Sequence, residues 1–319
     1  MSTNNPALSL QEPSTLEIRP RYEGSNICTW IGFKHVNYLV EEAVLNHLRQ
    51  GGLLPGTVYE TYGLCTDIVD IDTRILHAFH IDDVAVAEVR PHRRAKDGEL
   101  LLSVVLHVQR ETLLKAVTST VRVQLRLDPR GGGAEPVPAQ LAPYAVAQLA
   151  AVPGWEPELP AVNADSADLV KELTAGRNAY AWRFRIPYWY CHFTERMQMS
   201  GYLRLMEEAK DRLVADRGVS IKTLLDEQNW IPVVPHSRIT VLDEARMEED
   251  LYIVFTVEDV FKGFTYTSRM DTYVVRDGAL LQTSTGRITH GYAVIENRRD
   301  WSLVSFDDRM NAALEGQSA

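Results

Sequence analysis

The stretch PYWYCHFTERMQMSGYLRLMEEAKDRL (187–213) contains a histidine, His192, just ahead of an apolar-periodic run. An imidazole with an ordinary pKa near 6.5 can take a proton from water at neutral pH, which makes His192 a candidate general base. Glu195, three residues on, can orient or pair with it, or place a favourable charge at a helix start. Adding 166 maps RPRYEGSNICTWIGFKHVNYLVEEAVLNHLRQGGL (19–53) onto the same layout without a gap. Tyr22 then falls on Tyr188, Leu39 on Leu205, Glu41-Glu42-Ala43 on Glu207-Glu208-Ala209, and Asn26 on His192. Asn26 cannot act as a base, but it can position water or a carbonyl. His192 and Glu195 also have a spacing that some metal sites use. No second histidine lies near them in sequence, so no metal is expected. Tyr22, Trp30, Tyr188, Trp189 and Tyr190 gather at the two hinges. Strand alternation would put Tyr188 and Tyr190 on one face and Trp189 on the other. One set then belongs to the core and the other is free to line a pocket for an acyl chain or ring.

These residues need elements to hold them. Tyr202, Leu205, Met206, Ala209 and Leu213 form one helical stripe, matched by Val36, Leu39, Val40, Ala43 and His47. Gly52 and Gly218 stand where each helix should stop. Strand-like runs follow each helix, with Lys96-Asp97-Gly98 and Arg276-Asp277-Gly278 as hairpin turns. Each unit therefore reads strand, helix, then four antiparallel strands. The expected organisation is a tail over 1–14, repeat 1 over 15–128, a Gly/Pro/Ala-rich linker over 129–179, repeat 2 over 180–299 and a loose tail over 300–319. Short helical pieces are expected near 138–150 and 165–175. Asp70 and Asp72 alternate with apolar residues and read as the solvent face of a strand. His77, His107, His236 and His290 read as sheet-face residues.

Composition narrows the function classes. With 319 residues and 45% hydrophobic content, the chain can bury one large core or two ordinary ones. A formal charge of −10 argues against a nucleic-acid partner. The three cysteines have no zinc spacing, and an odd count suits a reducing compartment. No signal peptide or membrane-length apolar run is read, so a soluble, cytoplasmic protein is expected.

One long helix followed by a curled antiparallel sheet, present twice, resembles the hot-dog fold in its tandem, double hot-dog form. That implies an α+β pseudodimer with a continuous sheet. The motifs resemble hot-dog acyl-CoA thioesterases of the 4-hydroxybenzoyl-CoA type, which carry Y-x-D-x-D before a helix with Y-L-x-x-x-E-E-A. Repeat 2 has PYWYCH and YLRLMEEA at matching separation, with His192 and Asn26 at the family's catalytic aspartate position. The acidic position two residues upstream is Tyr190 and Gly24. The resemblance implies an acyl thioester substrate, with CoA or phosphopantetheine entering as part of it and no separate cofactor. An acyl carrier protein and a homo-oligomer of pseudodimers are implied as partners, with neither nucleic acid nor membrane. It also implies an oxyanion-binding N–H about seven residues past the catalytic position, at Met199 and at Phe33. Glu42 and Glu208 are candidates to face the inter-repeat seam as a catalytic glutamate, and otherwise sit on a solvated helix face. Glu41 and Glu207 are weaker candidates. Two other readings stay open: a hydratase or dehydratase on an enoyl or 3-hydroxyacyl thioester, and a non-catalytic acyl-thioester binding protein. The expectation is one productive pocket per chain, at His192, with Tyr190, Met199, Phe33, Tyr22 and Trp30 lining the pockets.

Overall fold

The computed structural model describes residues 8–131, 133, 135–155, 157–191, 193–296 and 300–316. Repeat 1 begins with β1 (Ser14–Ile18) and reaches helix α1 (Phe33–Gln50) through a short 3-10 turn at Tyr22–Gly24. The short helix α2 (Pro55–Tyr62) follows, then β2 (Leu64–Ile75), β3 (Ala85–Pro91), β4 (Leu100–Gln109) and β5 (Leu113–Leu127). The connection to repeat 2 carries β6 (Ala145–Val146) and α3 (Leu169–Thr174). Repeat 2 runs β7 (Ala179–Arg185), a 3-10 turn at Tyr188–Tyr190, α4 (Met199–Asp216), α5 (Ile221–Gln228), β8 (Trp230–Val241), β9 (Asp250–Phe261), β10 (Thr265–Arg276) and β11 (Ala279–Glu296). The chain ends with β12 (Asp300–Leu303) and α6 (Asp308–Leu314).

The offset of 166 relates α1 to α4, α2 to α5, and β2 to β8, start to start and end to end. Physical punctuation explains the shared boundaries. Both long helices stop before a glycine with positive φ, Gly52 at 89° and Gly218 at 80°. Each repeat wraps its helix with its own strands, and the two sheets join at β2 and β8 into one order, β1-β3-β4-β5-β2-β8-β11-β10-β9-β7. In the joining ladder Asp72 pairs with Arg238, and these two positions differ by the same 166. The pseudo-twofold axis therefore passes through that pair. Joining the repeats here removes two sheet edges. The tandem hot-dog architecture expected from the sequence is present.

Both long helices lie on one face of this sheet. Val36, Leu39, Val40, Ala43, Val44 and Leu48 of α1 and Leu205, Met206, Ala209 and Leu213 of α4 enter one continuous apolar core. Asn37, fully buried in α1, pins its first turn to the joining strands: Thr73 donates to Asn37 Oδ1 at 2.7 Å, and Asn37 Nδ2 donates to the Phe33 carbonyl at 2.9 Å. No helix among the described residues is long and apolar enough to cross a membrane.

Two expectations need correction. Asp70 is buried, because Arg238 binds its carboxylate at 3.0 and 3.1 Å and Thr240 donates to it at 2.5 Å across the repeat junction. That face of the strand is covered at Asp70, while Asp72 beside it stays partly exposed and pairs with His236 at 2.8 Å. Trp155 stacks beneath Arg238, 5.1 Å from its guanidinium, so the connection drapes over the sheet near the pseudo-axis. Residues 300–316 are no loose tail. β12 pairs with β11, and Phe306, Met310, Ala313 and Leu314 are buried.

Candidate functional site

The loop before α1 is folded tightly. Asn26 N–H donates to the Trp30 carbonyl at 2.8 Å and Gly32 N–H to the Gly24 carbonyl at 2.9 Å. Ile31 N–H reaches the Phe79 carbonyl at 2.8 Å, which ties the loop to the strand connection after β2. Repeat 2 repeats the last two bonds at Gln198–Tyr190 and Met197–Ala245. These main-chain bonds correspond at the two hinges, and the side chains make the hinges different.

At the first hinge a cavity of about 650 Å³ opens between the two repeats. Asn26, Trp30, Gly32 and Phe33 enter from repeat 1, and Glu207, Lys210 and Asp211 from α4 of repeat 2. Ile31, Ile75, Ile221, Ile231, Val233 and Val234 supply apolar wall. Gly32 is the N-cap of α1 and makes no side-chain cap, so the helix start is left open. Among the described residues no acceptor takes the N–H of Phe33 or of Lys34. Unpaired N–H groups at a helix start favour negative charge. A Cβ on Gly32 would stand 3.1 Å from Asn26 Oδ1 and 3.6 Å from Glu207 Oε1. The absent side chain is what lets an amide and a carboxylate from different repeats approach this helix start together. Lys34 Nζ lies 2.6 Å from Glu207 Oε2 and fixes that carboxylate across the junction. His35 packs against Gly24 and lies 3.3 Å from Glu23, and burial lowers its pKa.

The second hinge is filled. Arg196 stands where repeat 1 has Trp30, and Gln198 where it has Gly32. Arg196 donates to Asp67 at 3.1 Å, Arg126 lies 3.4 Å from the same carboxylate, and Arg126 also pairs with Glu244. Arg196, Arg126 and Asp67 are all buried. Between these groups and Met199 only about 10 Å³ remains.

The candidates from the sequence divide accordingly. Asn26, Trp30 and Phe33 line the open cavity. His192 lies outside the described residues. Glu195 is not at the start of α4, which begins at Met199; it pairs with Arg130 of the connection. Glu42 and Glu208 point away from the junction, each paired with an arginine of its own helix at 2.7 Å, Arg49 and Arg212. Glu207, the weaker candidate on sequence, is the one of these glutamates that lines the cavity, because a one-residue step turns a helical side chain by about 100°. Tyr22 is 86% exposed on its 3-10 turn. Tyr190 is core, packed on Phe184 and beneath Arg204. Met199 is 2% exposed, in the filled seam. The alternation read for Tyr188, Trp189 and Tyr190 fails because the segment is a turn of 3-10 helix, leaving Tyr188 and Trp189 outside and Tyr190 inside. Missed on sequence were Gly32, Lys34, Lys210 and His290. His77 lies in the bend after β2 and also lines the cavity, not a sheet face.

No protein-family model and no curated protein matches this sequence. Solved structures do. A structure from Lactobacillus plantarum assigned as an oleoyl thioesterase is 11% identical, covers 90% of this chain and 97% of its own, and superposes with a TM-score of 0.58. The 12:0-ACP thioesterase from Umbellularia californica is 11% identical over 93% of this chain and 98% of its own, with a TM-score of 0.54. An acyl-ACP thioesterase from Bacteroides thetaiotaomicron is 8% identical over 87% and 97%, with a TM-score of 0.51. At these identities the likeness is one of fold, and it places this chain, along most of its length, among double hot-dog proteins.

Proposed function

We propose that this protein hydrolyses an acyl thioester, carried on CoA or on a carrier protein, in the cavity at the first hinge. The observation that carries this reading is the open start of α1, with two N–H groups lacking an acceptor among the described residues, facing the carboxylate of Glu207 from the other repeat. Both halves of thioester hydrolysis find a candidate there. The N–H of Phe33, with Lys34 beside it, can stabilise the oxyanion that forms when the carbonyl is attacked. Glu207, steadied by Lys34, takes a proton from water as the water oxygen bonds to the carbonyl carbon. The intermediate then collapses, the C–S bond breaks, and the departing thiolate takes up the proton that Glu207 removed from the water, which restores the carboxylate. Asn26 is placed to orient the water or the carbonyl. A cavity of about 650 Å³ with apolar walls suits an acyl group. The thioesterases among the structural neighbours support the same substrate class.

Thiol release from a panel of aromatic, short-chain and long-chain acyl thioesters tests the reading. Glu207→Gln should lower kcat by roughly 10²-fold or more with little change in KM, the usual scale for losing a general base. Loss of activity in His192→Ala with Glu207→Gln unaffected would move the base to the second hinge. An enoyl absorbance change without thiol release would point to a hydratase. Binding without turnover would leave a binding protein.

A further inference from the structure

The cavity continues past Glu207. Lys210, one turn further along α4, and His290 of β11 line its inner part. Resting on the hydrolase reading of this cavity, we propose that the acyl group carries a hydroxyl or phenol which Lys210 and His290 bind together, making these two residues its specificity determinants.

Both are buried in a place where burial is costly. His290 is 1% exposed and Lys210 5%. The Nδ1 of His290 has no hydrogen-bond partner among the described residues. Leaving a buried polar atom unpaired disfavours the empty site, and a ligand group that pairs with it recovers that loss. The backbone presents His290 on purpose-built geometry. In the β8–β11 ladder Thr289 pairs with His236 and the next pair is Gly291 with Val233, so His290 stands at the irregularity. Such breaks re-aim a side chain. Tyr266 stacks on the imidazole, with ring centroids 5.2 Å apart, and holds its plane.

The two polar groups want complementary things. Among the described residues Lys210 Nζ has one ion-pair partner, Asp211 Oδ1 at 2.5 Å, and an ammonium carries three protons. Burial, and then the charge of Lys210, lower the His290 pKa well below its ordinary value, so the ring is neutral and keeps a nitrogen that can accept. A hydroxyl accepts from the ammonium and donates to the imidazole. A carboxylate satisfies Lys210 but pairs with His290 only in the tautomer that places the ring proton on the nitrogen facing it, whereas a hydroxyl pairs with either tautomer and an alkyl end with neither residue. Residues three apart on a helix share a face about 5 Å apart, so this oxygen lies several bonds beyond the thioester carbonyl.

The test is calorimetric binding of hydrolysis-resistant pantetheine analogues in which a methylene replaces the thioester sulfur. The probes are 4-hydroxyphenylacetyl against phenylacetyl, 6-hydroxyhexanoyl against hexanoyl, and adipoyl. The expected result is at least tenfold tighter binding of the hydroxylated member in one pair. Lys210→Met and His290→Phe should each bring that ratio within twofold. Equal binding of both members in both pairs overturns the proposal, as does tighter binding of adipoyl, no binding of any analogue, or variants that keep the ratio. If a variant does not fold, the wild-type ratios decide alone. Discrimination here with no thiol release from the corresponding thioesters would sink the hydrolase reading and leave this one standing; turnover without discrimination would do the reverse.

Discussion

Glu207 and Glu41 are the same residue of the repeat, and their surroundings separate them. Glu207 has Lys34 at 2.6 Å. The position equivalent to Lys34 in repeat 2 is Ser200, and among the described residues no ion pair holds Glu41. Burial, helped by the charge of Glu42, pushes the Glu41 carboxyl up to about 7. The folded protein therefore binds a proton there that the unfolded chain releases at lower pH. Stability falls as pH rises through the interval between the ordinary carboxylate range and about 7, and the full penalty is present above it. Glu41→Gln should accordingly raise unfolding free energy at pH 8 by about 1–3 kcal/mol and change it little at pH 4. Urea unfolding of both proteins at the two pH values measures this, and an equal effect at both would show that the carboxyl is not held protonated. Sequence could not separate these residues. Glu41, Glu42, Glu207 and Glu208 are alike in type and helical context, and the choice among them depends on which helix face meets the other repeat.

At the scale of elements, the long helices and their glycine stops were legible because identical spacing recurred at an offset of 166, and the β-hairpins because Asp-Gly turns separate alternating strands. The hinges were not. Alternation assigned them as strand ends, whereas Tyr22–Gly24 and Tyr188–Tyr190 each make one turn of 3-10 helix, with a period of three rather than two. Gly32 shows what that reading missed. Its φ of −65° is open to any residue, so its value lies in the space it leaves between Asn26 and Glu207 rather than in backbone freedom. Gly32→Ala should leave the melting temperature within about 2–3 °C of the parent, since alanine at a helix cap costs about 1 kcal/mol relative to glycine and a chain of this size spreads that over a large unfolding entropy. Its added methyl, 3.1 Å from Asn26 Oδ1, must displace that amide by a few tenths of an ångström. A loss of turnover of roughly tenfold or more is expected, because small misplacements at a reacting centre are amplified. Thiol release and a thermal melt on the same sample separate the two effects; unchanged turnover would remove Asn26 from the machinery.

At the scale of the molecule, a pseudo-twofold frame carries two unlike junctions. Main-chain bonds repeat across the axis, while Trp30, Gly32, Val233 and Ala78 on the open side become Arg196, Gln198, Asp67 and Glu244 on the filled one. The filled side holds a chain of ion pairs in which Arg196 and Arg126 share Asp67 and Arg126 also meets Glu244. Connecting chain closes it further, with Gln124 making a pair of hydrogen bonds to the backbone of Ala150 at 2.9 and 3.1 Å. One junction thus leaves a cavity while the other fastens the repeats together. Arg196→Met separates these duties. It leaves Asp67 with Arg126 as its remaining ion-pair partner among the described residues, while Glu244 keeps Arg126 and Arg246, and removing one partner from a buried charge cluster costs about 3–5 kcal/mol. Unfolding free energy should fall by that amount. The kcat/KM for thioester hydrolysis should stay within twofold at temperatures where the variant is folded, because the open cavity has none of these four residues in its walls. Binding of a hydrolysis-resistant analogue should also keep a stoichiometry of one per chain in both proteins. A stoichiometry of two in the wild type, or a loss of turnover in Arg196→Met that exceeds its unfolded fraction, would mean that the second junction is a site as well.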